Sequence, residues 1–211
     1  MGIINGTFNQ TIKASSKLGG ALVVFEGHPS LKVGGFNYDV KDLPDAGDVL
    51  PCGTPVYADE ANRTIVPVIT GKVKSVSSTE ITLEDNGFGQ TAFKVGDEIA
   101  VLPSDLDTAA TNHVAITAKD GNVITVSESL TGATAGAILV VVDGTSYKVK
   151  AVPNALTPYD VVKDADAVSV DGDAMWANDR PVLERRMPPI NDAIKAALVS
   201  AGCVFNFSNR K

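Results

Sequence analysis

Few side chains in this sequence have the types and spacing that chemistry needs. The two histidines, His28 and His113, each lack a second ligand at metal-binding spacing with a carboxylate nearby. Cys52 and Cys203 are too far apart for a metal or redox pair and too few for a disulfide framework. Both are expected as packed thiols, with pairing to each other left open. The densest cluster is Asp164-Ala165-Asp166-Ala167-Val168-Ser169-Val170-Asp171-Gly172-Asp173. Clustered carboxylates suit a hard cation such as calcium. The EF-hand pattern is absent, however, because the glycine is misplaced and the terminal glutamate is missing. Asp171-Gly172-Asp173 reads more simply as a hairpin turn. There is no Gly-x-Ser-x-Gly elbow, and no phosphate-binding glycine loop between a strand and a helix. An enzyme would have to assemble its site in three dimensions, with Asp171, Asp173 and His28 as first suspects. The expectation is no catalytic residue, no cofactor and no metal.

Composition narrows the classes further. The chain has 211 residues, 44% of them hydrophobic and 20% charged, which is enough apolar material for a folded core. A formal net charge of −7 is the wrong sign for a phosphate backbone, so nucleic acid is not an expected partner. The longest apolar run, Ala137 to Val142, has the length of a strand and not of a membrane span, so no membrane partner is expected. No basic segment followed by an apolar core opens the sequence, so no secretory signal is read. Aromatic residues are 6% with the single tryptophan Trp176, too few for a platform of stacked rings. One ring, at Trp176 or His113, could still serve a glycan. Arg180, Glu184, Arg185 and Arg186 alternate in sign and suit a salt-bridged face.

The elements that must carry these residues are mainly strands. Residues 1–20 are small and polar, dotted with Ile3, Ile4, Phe8, Ile12 and Leu18. They read as an arm that orders against another surface, or as weak edge strands. Ala21 to Phe25 is a short buried strand, and Phe36, Tyr38 and Val40 alternate as a half-buried one. Ile65 to Ile69 is extended across Pro67, which predicts an edge or a strand start. The middle of the chain repeats weakly. Val73 to Val76 followed by Ile81 to Leu83 recurs as Ile116 to Ala118 followed by Ile124 to Val126, at an offset of 43 residues. A glycine, Gly96 or Gly136, then opens a third apolar strand in each copy. Asp120-Gly121-Asn122 is a strong hairpin signal. Six short strands in two similar units predict a small barrel or sandwich. Tyr147 to Val152 alternates as a strand. Pro189 to Ala201 is the one clear helix, with Ile190, Ile194 and Leu198 on one stripe and Gly202 beyond its end. Cys203 to Phe207 reads as a last strand. The fold class is therefore mainly β with one C-terminal helix (α+β). An arm at 1–20 precedes a discontinuous α+β body, 21–69 plus 147–211, with a β-barrel or sandwich module inserted at 70–146.

One segment carries a resemblance. Leu50-Pro51-Cys52-Gly53-Thr54-Pro55-Val56-Tyr57-Ala58-Asp59-Glu60 resembles a stretch of tailed-phage auxiliary capsid proteins, the head-decoration and head-fibre proteins of crAss-like or other Bacteroides phage type. In those a small residue stands where Cys52 is, followed by Gly-Thr-Pro, an apolar pair and an Asp or Glu. The threonine–valine run at Arg63 to Val68 and the Phe-Lys-Val-Gly-Asp turn at Phe93 to Asp97 extend the likeness over about residues 43–102. Lambda-type decoration proteins share a looser theme of a Gly/Pro-rich β segment after an N-terminal arm. The resemblance implies a virion structural protein, made in the host bacterial cytoplasm and seated on the capsid exterior. It would stabilise the shell or anchor head fibres. The implied partners are the major capsid protein, a head-fibre protein and two further copies in a homotrimer. Ile3, Ile4, Phe8, Ile12 and Leu18 are then the candidate capsid contacts. The alternative is a β-rich module of a phage particle that binds glycans or cell surfaces.

Overall fold

The computed structural model describes residues 24–32 and 35–209. Five short strands come first: β1 (Pro29–Leu31), β2 (Phe36–Asp39), β3 (Val49–Leu50), β4 (Pro55–Asp59) and β5 (Thr64–Pro67). Six follow in the middle: β6 (Thr70–Ser77), β7 (Glu80–Leu83), β8 (Glu98–Val101), β9 (His113–Asp120), β10 (Val123–Val126) and β11 (Ile138–Val142). The last third adds β12 (Ala155–Leu156), β13 (Val161–Val162), β14 (Ser169–Gly172), β15 (Met175–Asn178), β16 (Val182–Leu183), helix α1 (Asp192–Ser200) and β17 (Phe207–Ser208). Among the described residues the chain is mainly β with one α-helix near the C-terminal end, as the sequence pattern predicts.

The flanking thirds interleave in one seven-stranded sheet of order β1-β15-β12-β4-β5-β2-β14. Its central strand, β4, comes from the Gly-Thr-Pro segment. Gly53 at φ 82° turns the chain there, and the Thr54 hydroxyl donates to the Pro51 carbonyl at 2.6 Å. Thr157 reaches the same carbonyl at 3.1 Å and accepts from Thr54 N, so the turn is locked to the C-terminal third. β3 pairs with β13, and β16 runs parallel to β17.

The middle third closes into a six-stranded barrel in the order β10-β7-β6-β11-β8-β9. The repeat seen in the sequence is a structural pseudo-twofold. β6 and β9 start at Thr70 and His113, and β7 and β10 at Glu80 and Val123, each pair 43 residues apart. Both hairpins carry a bulge at the matching place, between Val73 and Ser75 and between Ile116 and Ala118. The backbone bonds match as well. Gly96 N donates to Ile116 O at 2.9 Å, and Gly136 N donates to Val73 O at 2.8 Å. Gly96 and Gly136 both adopt positive φ, near 90°, a conformation that favours glycine. The third strand of each copy pairs with the hairpin of the other: β8 with β9, and β11 with β6. Neither copy can close a barrel by itself.

The interior does not divide along the chain. One cluster of buried side chains joins Tyr38, Val56 and Ile65 of the sheet, and Leu50 of β3, to Phe93, Ile81, Ile116 and Leu139 of the barrel. A second joins Ala100, Leu102, Val140 and Val142 to Met175, Val182, Ile194 and Leu198. Helix α1 is capped by Asn191, whose side chain accepts from Ile194 N at 3.0 Å while its amide donates to Pro103 O at 2.8 Å. The helix therefore starts after the Pro188-Pro189 pair, because the asparagine supplies the acceptor that the first free N–H groups need.

Several sequence expectations are corrected. β5 lies inside the sheet between β4 and β2, not at an edge. Pro67 is tolerated because it is the last residue of that strand, beyond which Val68 N takes up the bonding to Pro55 O. Tyr147 to Val152 is not a strand. Asp143 turns the chain by accepting from Thr145 N and Ser146 N, Tyr147 takes φ 55°, and only Val149 bridges to Val142. Asp171-Gly172-Asp173 is not a hairpin turn, since β14 and β15 lie in opposite halves of the sheet. The last expected strand shrinks to a Val204 bridge and the two residues of β17.

Candidate functional site

The residues singled out for chemistry do not meet. His28 sits just before β1, where its backbone N–H donates to Asp179 at 2.7 Å and its ring is exposed. That bond holds the Asp179 carboxyl below its ordinary value. His113 opens β9 in the barrel. Its Nδ1 is 3.1 Å from Glu98, and its ring stacks on Tyr147 with centroids 3.7 Å apart. Asp171 and Asp173 flank the end of β14, at the opposite edge of the sheet from β1 and His28. Asp173 accepts from the Tyr159 hydroxyl at 2.7 Å, while Asp164, Asp166 and Asp171 are exposed. Among the described residues no group of three or more His, Cys, Asp or Glu side chains is placed to hold a metal ion. Ile3, Ile4, Phe8, Ile12 and Leu18 lie outside the described residues.

Both cysteines are free thiols. Cys52 Sγ donates to Pro158 O at 3.2 Å and Cys203 Sγ to Asn154 O at 3.1 Å. Burial pushes both thiols up, Cys52 far up, with the Asp160 charge adding to it. A thiol so held supplies little thiolate, and the thiolate is the nucleophile. Asp160 accepts from Cys52 N at 2.7 Å, and burial raises its carboxyl too.

Two assemblies are visible only in three dimensions. The first is a groove of about 560 Å³ between the barrel and the segment before α1. Gly71, Leu83 and Ile138 form apolar wall on the barrel side, facing Pro51, Met187 and Ile190. Thr70 joins the walls by donating to Pro189 O at 2.7 Å, and Lys72 pairs with Glu84 at 3.0 Å on the rim. Neither histidine and neither cysteine lines it. Its furnishings suit holding a chain or a small apolar group. Sequence reading had no signal for it, because its walls come from separate stretches of chain scattered between Leu50 and Asn209.

The second is a belt of lysines around the loop after β2. Lys119, largely buried, donates to Asp48 at 2.6 Å, Asp45 at 2.9 Å and the Phe93 carbonyl at 2.9 Å. Burial works to lower its ammonium, and the bonds to Asp48 and Asp45 outweigh this and raise it. Lys94 donates to the Lys41 carbonyl, Lys163 to the Val40 carbonyl at 2.8 Å, and Lys150 lies 3.3 Å from Asp42. Asp97 is buried beside Lys94 and accepts from its backbone N–H at 3.0 Å. The belt ties barrel and sheet together, so its charges belong to the scaffold. Trp176 is 41% exposed on β15. Among the described residues no helix is long and apolar enough to cross a membrane. Comparison with protein-family models, curated proteins and solved structures gave no match.

Proposed function

We propose that this chain is a virion structural protein that decorates the outside of a tailed-phage capsid, stabilising the shell or anchoring head fibres. The observation that carries the reading is the resemblance at Leu50 to Glu60. It gains support from the use to which the chemically able residues are put. His113, Cys52, Cys203, Asp160 and the lysine belt make fold contacts, and none lines the groove together with a nucleophile. A protein of this kind acts by fitting surfaces to other proteins. Each contact is modest, and repetition over a shell makes the sum large through avidity. The major capsid protein is the expected partner, with the arm at Ile3, Ile4, Phe8, Ile12 and Leu18 as the contact.

The test is co-sedimentation of the purified chain with undecorated capsids of the phage that encodes it, followed by electron cryomicroscopy. Regular density on the outer shell supports the proposal; particles that carry no copies overturn it. The exposed Trp176 ring favours one second reading, a glycan-binding module of the particle. Hits on a glycan array that vanish with Trp176→Ala, together with no capsid binding, would replace the first reading with this one.

A further inference from the structure

We propose that the free edge of β14 receives the 1–20 segment of a second copy of this chain as an added strand. β14 is the last strand of the seven-stranded sheet, and among the described residues it pairs with β2 alone. An open edge is a template for another strand. Val168, directly before β14, is 90% exposed, while Val170 packs against the core. The edge has no proline or lysine to blunt it. Its exposed flanks are Asp164, Asp166 and Asp171. Those carboxylates disfavour the symmetrical pairing of β14 with β14, since like charges would face each other. They select a cationic strand instead.

Residues 1–20 fit that description. They contain Lys13 and Lys17, no carboxylate and no proline. Thr7-Phe8-Asn9-Gln10-Thr11-Ile12-Lys13 is rich in strand-favouring residues, with Phe8 and Ile12 on one face at period two and Lys13 on the other. Topology separates donor from acceptor. The chain enters the described structure at Val24 and Phe25, where Phe25 bridges to Val182, and then forms β1 at the far edge of the sheet. Six strand spacings, about 29 Å, lie between that edge and β14. The inner face of the sheet is packed on the core, so a copy's own segment would have to lie across the outer face, over the exposed Asn37, Asp39 and Tyr57, to reach β14. Donation from one copy to the next is the direct route. It is a head-to-tail contact, which makes a ring where the rotation closes and a filament where it does not. This inference does not rest on the capsid reading, but it draws on the same arm: it assigns Phe8 and Ile12 to a neighbouring copy and leaves Ile3, Ile4 and Leu18 for the capsid protein.

Hydrogen exchange of the full chain, dilute and concentrated, tests it alongside sedimentation velocity. Amides of Val168 to Gly172 should exchange about tenfold more slowly in the concentrated sample, where oligomers form. Phe8→Asp with Ile12→Asp, and separately Asp166→Lys with Asp171→Lys, should each remove both effects while leaving exchange in the barrel unchanged. The proposal is overturned by a monomer at high concentration, by oligomers that survive Phe8→Asp with Ile12→Asp, by protection that does not depend on concentration, or by protection that appears at the 184–190 groove instead of at β14.

Discussion

Gly172 has no room for a methyl group. A Cβ there would lie 2.1 Å from Cε2 of Tyr38, whose ring is buried against it in the core. Gly172→Ala should cost about 2 kcal/mol in urea unfolding, the scale of an overpacked core. Tyr38 itself has a buried hydroxyl with no hydrogen-bond partner. Tyr38→Phe keeps the ring and removes that desolvated group, so it should raise stability by about 1 kcal/mol in the same assay. Asp97 gives a prediction in pH. Burial raises its carboxyl above the ordinary 3.8. The folded state then binds this proton more readily than the unfolded state, and stability from this group is greatest at low pH. That share is lost as pH rises from 3.8 through the raised folded value. Asp97→Asn keeps an acceptor for Lys94 N and does not titrate. The stability of Asp97→Asn relative to the natural chain should therefore climb with pH in this window and level off above it; a difference flat across the window would show that Asp97 is not shifted.

At the scale of elements, the loop after β2 is held by charge as well as by the buried side chain of Leu43. Lys119 gives it a single ammonium with three oxygen acceptors, and breaking a buried pair leaves the remaining charges uncompensated. Lys119→Met should cost about 2 kcal/mol, less than a fully buried pair because Asp45 is half exposed. Amides of residues 40–48 should then exchange faster than those of the barrel. The sequence could not announce this belt, since Lys119 and Asp48 are 71 positions apart and carry no local pattern. Local signals did show through: the 43-residue repeat, the Asp120-Gly121-Asn122 hairpin with Gly121 at φ 56°, and the Ile194–Leu198 stripe of α1 are all in the structure. Failures came where a partner overrode the local rule. Tyr147 alternates like a strand but is turned by Asp143, and Gly172 looks like a turn residue but serves close packing under Tyr38.

For the whole molecule, the shared interior is the decisive fact. Each core cluster draws on the barrel and on the sheet, so neither can lose its packing without exposing the other. Calorimetry of the full chain should give one transition with equal calorimetric and van't Hoff enthalpies; two resolved transitions would mean that the barrel melts separately. That the fold is mainly β was legible from strand-length apolar runs and glycine-marked turns. The pairing order was not, because register between distant strands is set by cross-strand neighbours that no short window contains.

The exchange of third strands between the two copies governs how the polypeptide can be built. β6 waits for β11, whose pairing residues Ile138 to Val140 emerge from the ribosome long after Thr70 to Lys72. At about 5–20 residues per second, several seconds pass with the first hairpin unsealed and its apolar side open to wrong partners. Synthesis of this protein therefore includes an interval in which chaperone protection matters most, and it ends when the second copy of the repeat has been translated.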